Sequence, residues 1–473
     1  MVPRITPYGA VKEIGGSKIL LEDGEKRIFF DFGKPFGRYG RFFDGVFVKQ
    51  RSARGILDFL SLGILPPLRG LLRKDLIPSL TPERLIVEEI PPTGRQRKPR
   101  YLVAQSEKEI QTFWDTWAAH FPGIARDMRR ENAPPVDLVF LSHAHQDHIQ
   151  DLCYTDVNIP AASTAMTAFI AKVLVDVSPN SQGAPYASPY HLNKEGMLTT
   201  KGAKEILARP WVFLDSKPRG NPSDDPLDNA HAFWFTSPSK TRTYEAELTA
   251  MPAGINLRYW LVDHSIYGAA GCAVETQSGW VAYTGDLRFH GRHAQTSFTF
   301  AEELAKLQPT VLISEGTRLT TPNKTTESEV FDRCLHAAQT AGGKLIIADF
   351  APRNVERLEI FLEIARRTDR RLLLQPRDAY LVRAMHLADP RLIGDLMEDD
   401  HLAIYTDPKS SQNRWEQIVR EHYASKMISP QAVSRHPEQT ILAFSLTDIA
   451  DLLDLQTLKG SMLNGIYIFS NSR

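Results

Sequence analysis

The stretch VDLVFLSHAHQDH (136–148) constrains this chain more than any other. Its apolar part, VDLVFL (136–141), has the length and β-branched content of a buried strand and is too short for an ordinary helix. Three histidines and an aspartate follow at once: His143, His145, Asp147 and His148. A strand that runs into such a loop must end at a polar edge of its sheet, because buried imidazoles and carboxylates need partners. Neutral imidazole and ionised carboxylate are the donors that divalent cations such as zinc take. His143 and His145, just past the strand, can converge on one ion if the backbone turns there. A helix beginning near Asp147 would direct Asp147 and His148 toward a second ion. A solvated helix start capped by Ser142 or Asp147 is the competing reading. It leaves unexplained why a chain with 14 histidines in 473 residues gathers three of them here.

A pair of ions needs more donors, and two other apolar stretches end in them. NLRYWLVDH (256–264) reads as a strand ending in His264. GCAVETQSGWVAYTGD (271–286) reads as a hairpin turning at 277–279 and ending in Asp286, with Gly285 leaving space beside it. A carboxylate there could bridge two ions. His290 and His293 follow closely and are given no role.

SKILLEDGEKRIFFDFG (17–33) reads as a hairpin around Asp23–Gly24. SEKEIQTFWDTWAAHF (106–121) reads as a helix, with Ser106 and Glu109 as a capping box and Ile110, Phe113, Trp114, Trp117 and Phe121 on one face. TVLISEG (310–316) is a further strand. From 344 to 470, strand and helix patterns alternate from KLIIADF to GIYIFS, which specifies a parallel α/β module. At 473 residues the chain exceeds the roughly 250–300 that one core usually serves, and the change of pattern puts a domain boundary near 320.

Charge excludes one class of partner recognition. Lys+Arg and Asp+Glu balance at 56 each, so no global positive field attracts a polyanion and only a local cleft could hold one. Cys153, Cys272 and Cys334 make no disulfide framework; a reduced, cytoplasmic setting is expected, with Cys153 and Cys272 as small packed hydrophobes. The opening MVPRITPYGAVKEIGG has no apolar core, so no signal peptide is expected. GILDFLSLGILPPLRGLLR (55–73) is interrupted by Asp58, Pro66, Pro67 and Arg69, which suits packing and not a bilayer. It belongs to an insert at about 34–135 that also holds the basic loop PTGRQRKPR (92–100).

HAHQDH matches the HxHxDH motif of the metallo-β-lactamase superfamily, and the other pieces arrive in that superfamily's order. Asp31 in FFDFG resembles its first motif, an aspartate that orients the metal loop. His264 and Asp286 fall at its third and fourth. ISEGTR (313–318) resembles the beta-CASP branch, in which an acidic residue after the fifth strand supports the metal site; Glu315 holds that position. ADFAPRNVERLEIF (348–361) is similar to a segment of ribonuclease J and the cleavage-factor nucleases where an Asn and an Arg recur, here Asn354 and Arg357. The resemblance implies an α/β fold: an αββα sandwich over 1–320 with an inserted parallel, beta-CASP-like domain over 321–473. That domain would clamp over the metal site and leave a channel for single-stranded nucleic acid. The family then returns to its first domain and supplies two more histidines. The expectation is therefore that these residues stop short of that return, the alternative being that another residue or a water completes the second site.

The activity that follows is phosphodiester cleavage in single-stranded RNA by in-line attack of a metal hydroxide. His143, His145 and His264 would hold one ion, Asp147 and His148 the other, and Asp286 both. Zinc is the first choice and manganese the alternative. Asp147 would also orient the attacking water, while Asp31 and Glu315 fix the ligands from behind. Arg318, Arg353 and Arg357 are candidate phosphate contacts. RRTDRR (366–371) reads as a solvated helix end, and Phe350 as core. The competing functions are a DNA-repair nuclease of the same branch, a small-molecule metallo-hydrolase, and a non-catalytic scaffold in RNA processing. A homodimer or an RNA-processing complex is the assembly expected, with no membrane partner.

Overall fold

The computed structural model describes residues 2–43, 51–79, 81–91, 100–177, 187–188, 190–199, 207–221, 223–237, 247–316, 326–351, 353–409 and 412–470. Strands β1 (Arg4–Pro7), β2 (Ile19–Asp23) and β3 (Lys26–Phe30) form an antiparallel meander. The turn between β2 and β3 passes through Gly24 at φ 61°, a left-handed conformation that glycine adopts without penalty. From β3 the sheet continues in parallel through β4 (Leu138–Phe140), β5 (Ala161–Ser163), β6 (Pro210–Phe213) and β7 (Glu247–Leu248), seven strands in chain order. The second sheet holds β8 (Leu257–Leu261), β9 (Ala270–Thr276), β10 (Gly279–Tyr283) and β11 (Val311–Ile313), also in chain order.

Both faces of each sheet are apolar, so both must be covered. Ile19, Leu21, Ile28, Phe30, Leu138 and Phe140 meet Ala270, Cys272, Val274, Val281 and Tyr283 between the sheets. The flanking helices are α1 (Glu107–His120), α2 (Ala165–Val177) and α3 (Ala294–Leu307). On the outer face of the first sheet, Leu20, Phe29 and Val139 share a core with Ala168 and Phe169 of α2. On the outer face of the second, Ala273 and Ala282 pack with Phe300 and Leu304 of α3. The result is the helix–sheet–sheet–helix sandwich that the sequence led us to expect.

The 55–73 stretch packs into this core: Ile56, Phe59, Leu60, Ile64, Leu65, Leu68, Leu71 and Leu72 are buried with the outer face of the first sheet. Only half of the expected capping box forms on α1. Ser106 accepts from the Glu109 N–H, but the Glu109 carboxylate pairs with Arg84 and Thr81 instead of turning back. Residues 92–99 of the basic loop lie outside the described residues. Among the described residues no helix is long and apolar enough to cross a membrane.

The third sheet contains β12 (Leu345–Asp349), β13 (Arg371–Leu374), β14 (Leu402–Tyr405), β15 (Met427–Ile428), β16 (Thr440–Ala443) and β17 (Gly465–Phe469). Every neighbouring pair is parallel, in the order β15-β14-β13-β16-β12-β17. Such a sheet needs helices on both faces, and the alternating sequence supplies them, among them α4 (Glu327–Gln339), α5 (Val355–Arg367) and α6 (Pro376–Ala388). Helix α6 lies on α2 of the sandwich, where the Tyr380 ring packs at a tilt against Phe233, 5.5 Å between centroids, and its hydroxyl donates to Asp176 at 3.0 Å. Phe350 sits in the core against Phe361. Arg366 and Arg367 are spent on Glu363 and Asp399 at the solvated end of α5.

Candidate metal centre

Three strand ends, from both sheets, meet at one edge of the sandwich. After β4 the chain turns through His143 and His145 into a one-turn helix, Gln146–Ile149. His264 follows β8, and Asp286 follows β10. Gly285, at φ 57°, lets the β10 loop approach so closely that a Cβ there would stand 2.7 Å from Cβ of Ser142.

Nε2 of His143 lies 3.0 Å from Nδ1 of His145, which lies 3.1 Å from Nε2 of His264. Burial, with the neighbouring imidazoles and Arg353, holds His143 well below its ordinary pKa and His145 at about 2. Burial likewise brings His264 to about 4. Neutral rings therefore turn their nitrogens into one small volume. With zinc–nitrogen bonds of about 2.0 Å, a tetrahedral ion separates its ligand atoms by about 3.3 Å, so this donor set fits one. Asp286 sets one oxygen toward each side of the centre. Its Oδ2 is 4.0 Å from Nε2 of His143 and 3.8 Å from Nε2 of His264, while Oδ1 is 3.4 Å from Nε2 of His148. Asp147 Oδ2 is 3.8 Å from the same His148 nitrogen. Among the described residues two donor groups emerge, His143–His145–His264 and His143–His148–Asp286.

Behind the ligands stands Asp31, fully buried, at φ 56°. Its Oδ1 accepts from the Ser142 N–H at 2.7 Å. Its Oδ2 accepts from Ser142 Oγ at 2.7 Å, His148 Nδ1 at 2.7 Å and the Tyr283 hydroxyl at 2.6 Å. With Nδ1 donating to this carboxylate, the His148 ring is fixed with Nε2 turned toward the centre, the nitrogen that a bound ion would take in exchange for its proton. Burial opposes charge on His148, yet Asp31 and Asp286 hold its pKa well above the ordinary value. Burial also opposes charge on Asp286, and His148 overrides it to bring that carboxyl to about 2. Ser142 and Tyr283 are the supporting residues that sequence reasoning missed. Their signal was available: Ser142 directly precedes the histidine motif, and Tyr283 is the inward residue that closes β10.

Arg353 reaches the centre from the parallel module, its Nη1 donating to the Ala144 carbonyl at 3.3 Å. Burial lowers its pKa, and nearby Asp147 opposes that. Arg357 requires a correction. It is buried in the first turn of α5, its guanidinium held by Glu327 at 2.7 and 3.0 Å and by the Ser470 carbonyl at 2.8 Å, with Nε enclosed, so it presents no exposed donor to a phosphate. Asn354 caps the same helix by accepting from the Arg357 N–H. Glu315 follows β11, with its N–H 3.4 Å from Thr284 Oγ1, and lines a groove of about 480 Å³ with Leu287, Phe289 and Leu312. Arg318 lies outside the described residues. His293 packs edge-on against Tyr267.

An ionic network that the sequence did not reveal ties the metal loops to α5. Asp263, next to His264, accepts from Arg288 Nε and Nη2, each at 3.1 Å, and from the Gly291 N–H at 2.8 Å. Arg288 also pairs with Glu356, which accepts the Arg292 N–H at 2.7 Å. Glu359 accepts from Arg292 at 3.0 Å and from the Tyr267 hydroxyl at 2.9 Å.

Fold and site together define a mixed α/β sandwich with a cluster of histidines and aspartates at one edge and a parallel α/β module beside it. The curated proteins that the chain is similar to are ribonucleases J. One, from Corynebacterium glutamicum, is 27% identical over 138 residues, 28% of this chain and 19% of that protein. Ribonuclease J 2 of Staphylococcus saprophyticus is 28% identical over 124 residues, 25% of this chain and 22% of its own length. The chain thus matches about a fifth of the length of these relatives. A crystal structure of a protein of unknown function from Enterococcus faecalis V583 shares the fold over 99% of this chain and 88% of that one, with a TM-score of 0.56 and 16% identity. No protein-family model matches the chain.

Proposed function

We propose that the chain is a metal-dependent hydrolase that cleaves phosphodiester bonds of single-stranded RNA with two divalent ions, zinc by preference and manganese as the alternative. The observation that carries the reading is Asp286, with one oxygen toward the His143–His264 nitrogens and the other toward His148. In this reading His143, His145 and His264 hold the first ion, Asp147 and His148 the second, and Asp286 both. Bound ions of this kind polarise a phosphoryl oxygen and bring the pKa of water toward neutrality. The protein's part is orientation: Asp31 and Glu315 fix the ligands from behind, Asp147 directs the attacking water, and Arg353 offsets phosphate charge. The similarity to ribonucleases J favours RNA over DNA. A domain boundary near 320 and a cytoplasmic setting, consistent with three free buried cysteines, belong to the same reading.

The test is cleavage of end-labelled single-stranded RNA and matched DNA by the purified chain with zinc or manganese, alongside Asp147→Ala. RNA cleavage that the substitution abolishes is expected. DNA cleavage alone would reassign the substrate, and cleavage of neither would overturn the nuclease reading.

A further inference from the structure

The one-turn helix Gln146–Ile149 carries Asp147 and His148, and a helix this short cannot satisfy its own carbonyls. Only the Gln146 carbonyl is met from within, by the Gln150 N–H, and two loops supply the other donors. The Lys34 N–H donates to the Gln146 carbonyl at 3.0 Å, and the Phe32 N–H to that of His148 at 2.8 Å. The Asp147 carbonyl receives two bonds, from the Gly16 N–H at 3.0 Å and the Ser17 N–H at 3.1 Å. The loops are joined to each other by the Gly33 N–H, which donates to the Ser17 carbonyl at 2.9 Å.

This strapping works only because side chains are missing. A Cβ at Gly33 would overlap the Asp147 carbonyl oxygen at 1.6 Å. One at Gly15 would stand 2.7 Å from Asp147 Cβ and 2.9 Å from its Oδ2. The Asp147 side chain is thus walled by the bare backbone of Gly15. Gly15 and Gly16, at φ 76° and 75°, hold a conformation that side-chain-bearing residues rarely adopt, and the loop is anchored further by Glu13 to Arg38 at 2.8 Å. The wall is therefore a fixed surface.

We infer that Gly15 is a positioning residue: it confines the Asp147 carboxylate to the placement needed for the second ion and leaves the first ion's donors untouched. The inference rests on the proposed role of Asp147 as a ligand of that ion. The nearest atoms that a Cβ at Gly15 or Gly33 would meet belong to Asp147 and His148, on the helix assigned to the second ion, so the effect falls on that ion. It also makes the site selective for carboxylate length, because a longer side chain at 147 meets the Gly15 backbone before it reaches the ion.

The experiment is equilibrium zinc binding to the full chain by competition with a chromophoric chelator, with circular dichroism as the check on folding. The proteins are the wild type, Asp147→Ala, Gly15→Ala, Asp147→Glu, Asp147→Gly and the Gly15→Ala/Asp147→Gly double variant. Gly15→Ala and Asp147→Glu are each expected to weaken the second ion about 10- to 100-fold, as loss of supporting contacts around a ligand does, with the first ion unchanged. In the Asp147→Gly background, Gly15→Ala is expected to add nothing, because nothing remains for its Cβ to displace. Asp147→Glu keeps the inference testable if Gly15→Ala does not fold. Second-ion affinity within threefold of wild type in Asp147→Glu, or an equal Gly15→Ala effect in both backgrounds, would overturn it. If Asp147→Ala itself left the second ion unchanged, Asp147 would be no ligand, and that failure is distinct from failure of the wall.

Discussion

Replacing Asp31 by Asn tests the site where it is most tightly built. The carboxylate accepts four hydrogen bonds at 2.6–2.7 Å and is fully buried. An amide has one acceptor. Its best placement turns the carbonyl toward Ser142 Oγ, His148 and Tyr283, which leaves the amide N–H groups facing the Ser142 N–H, donor against donor. One charge-assisted bond is lost, about 1.5–3 kcal/mol, and the other three weaken to neutral strength, roughly 1 kcal/mol each. Relief from burying a charge offsets part of this, and the net destabilisation expected is about 3 kcal/mol. His148 is also left with a neutral acceptor in place of the carboxylate that orients its ring, so second-ion affinity should fall about 10- to 100-fold. Urea unfolding of the metal-free protein measures the first effect, and zinc competition the second. A variant within about 0.5 kcal/mol of wild type that binds both ions normally would refute the reasoning.

The network between the metal loops and α5 makes Glu356→Gln costly. Glu356 is buried and faces Arg288, which keeps Asp263 as a partner, so the loss should be about 3 kcal/mol, the low end for a broken buried pair. A urea midpoint unchanged from wild type would contradict this. Asp378 supplies a pH dependence. Burial, with Asp448 adding and Arg377 opposing, raises its carboxyl from 3.8 to about 7. Its folded pKa exceeds its unfolded one, so its contribution is full below about 4 and is lost as pH rises through about 7. Asp378→Asn should therefore melt progressively higher than wild type between pH 5 and pH 8, and parallel melting profiles would exclude the effect. Zinc at 100 times its dissociation constant should stabilise the chain by about 2.7 kcal/mol per ion, and a chelator should reverse the gain. His264→Ala should abolish the first ion's share; a melting temperature indifferent to zinc in the wild type would refute the fit of these donors.

Local chemistry made much of this protein legible in advance. Residue order alone specified the strand before His143, the hairpin ending at Asp286 and the parallel module after 344, because strand periodicity, turn residues and ligand chemistry are properties of neighbours in the chain. The same holds for the short list of donors. What the tertiary structure decided are relations between distant residues. Arg357 resembled a phosphate contact by position, yet Glu327 and Ser470 claim it. Ser142 and Tyr283 converge on Asp31 from separate strands, and no spacing encodes that meeting. Arg288 and Glu356 find each other only when the module docks. Gly15 shows the limit most plainly. In sequence it is one of 29 glycines, and only the fold sets its bare backbone beside the Asp147 carboxylate, because excluded volume acts between atoms in space and not between positions in a chain.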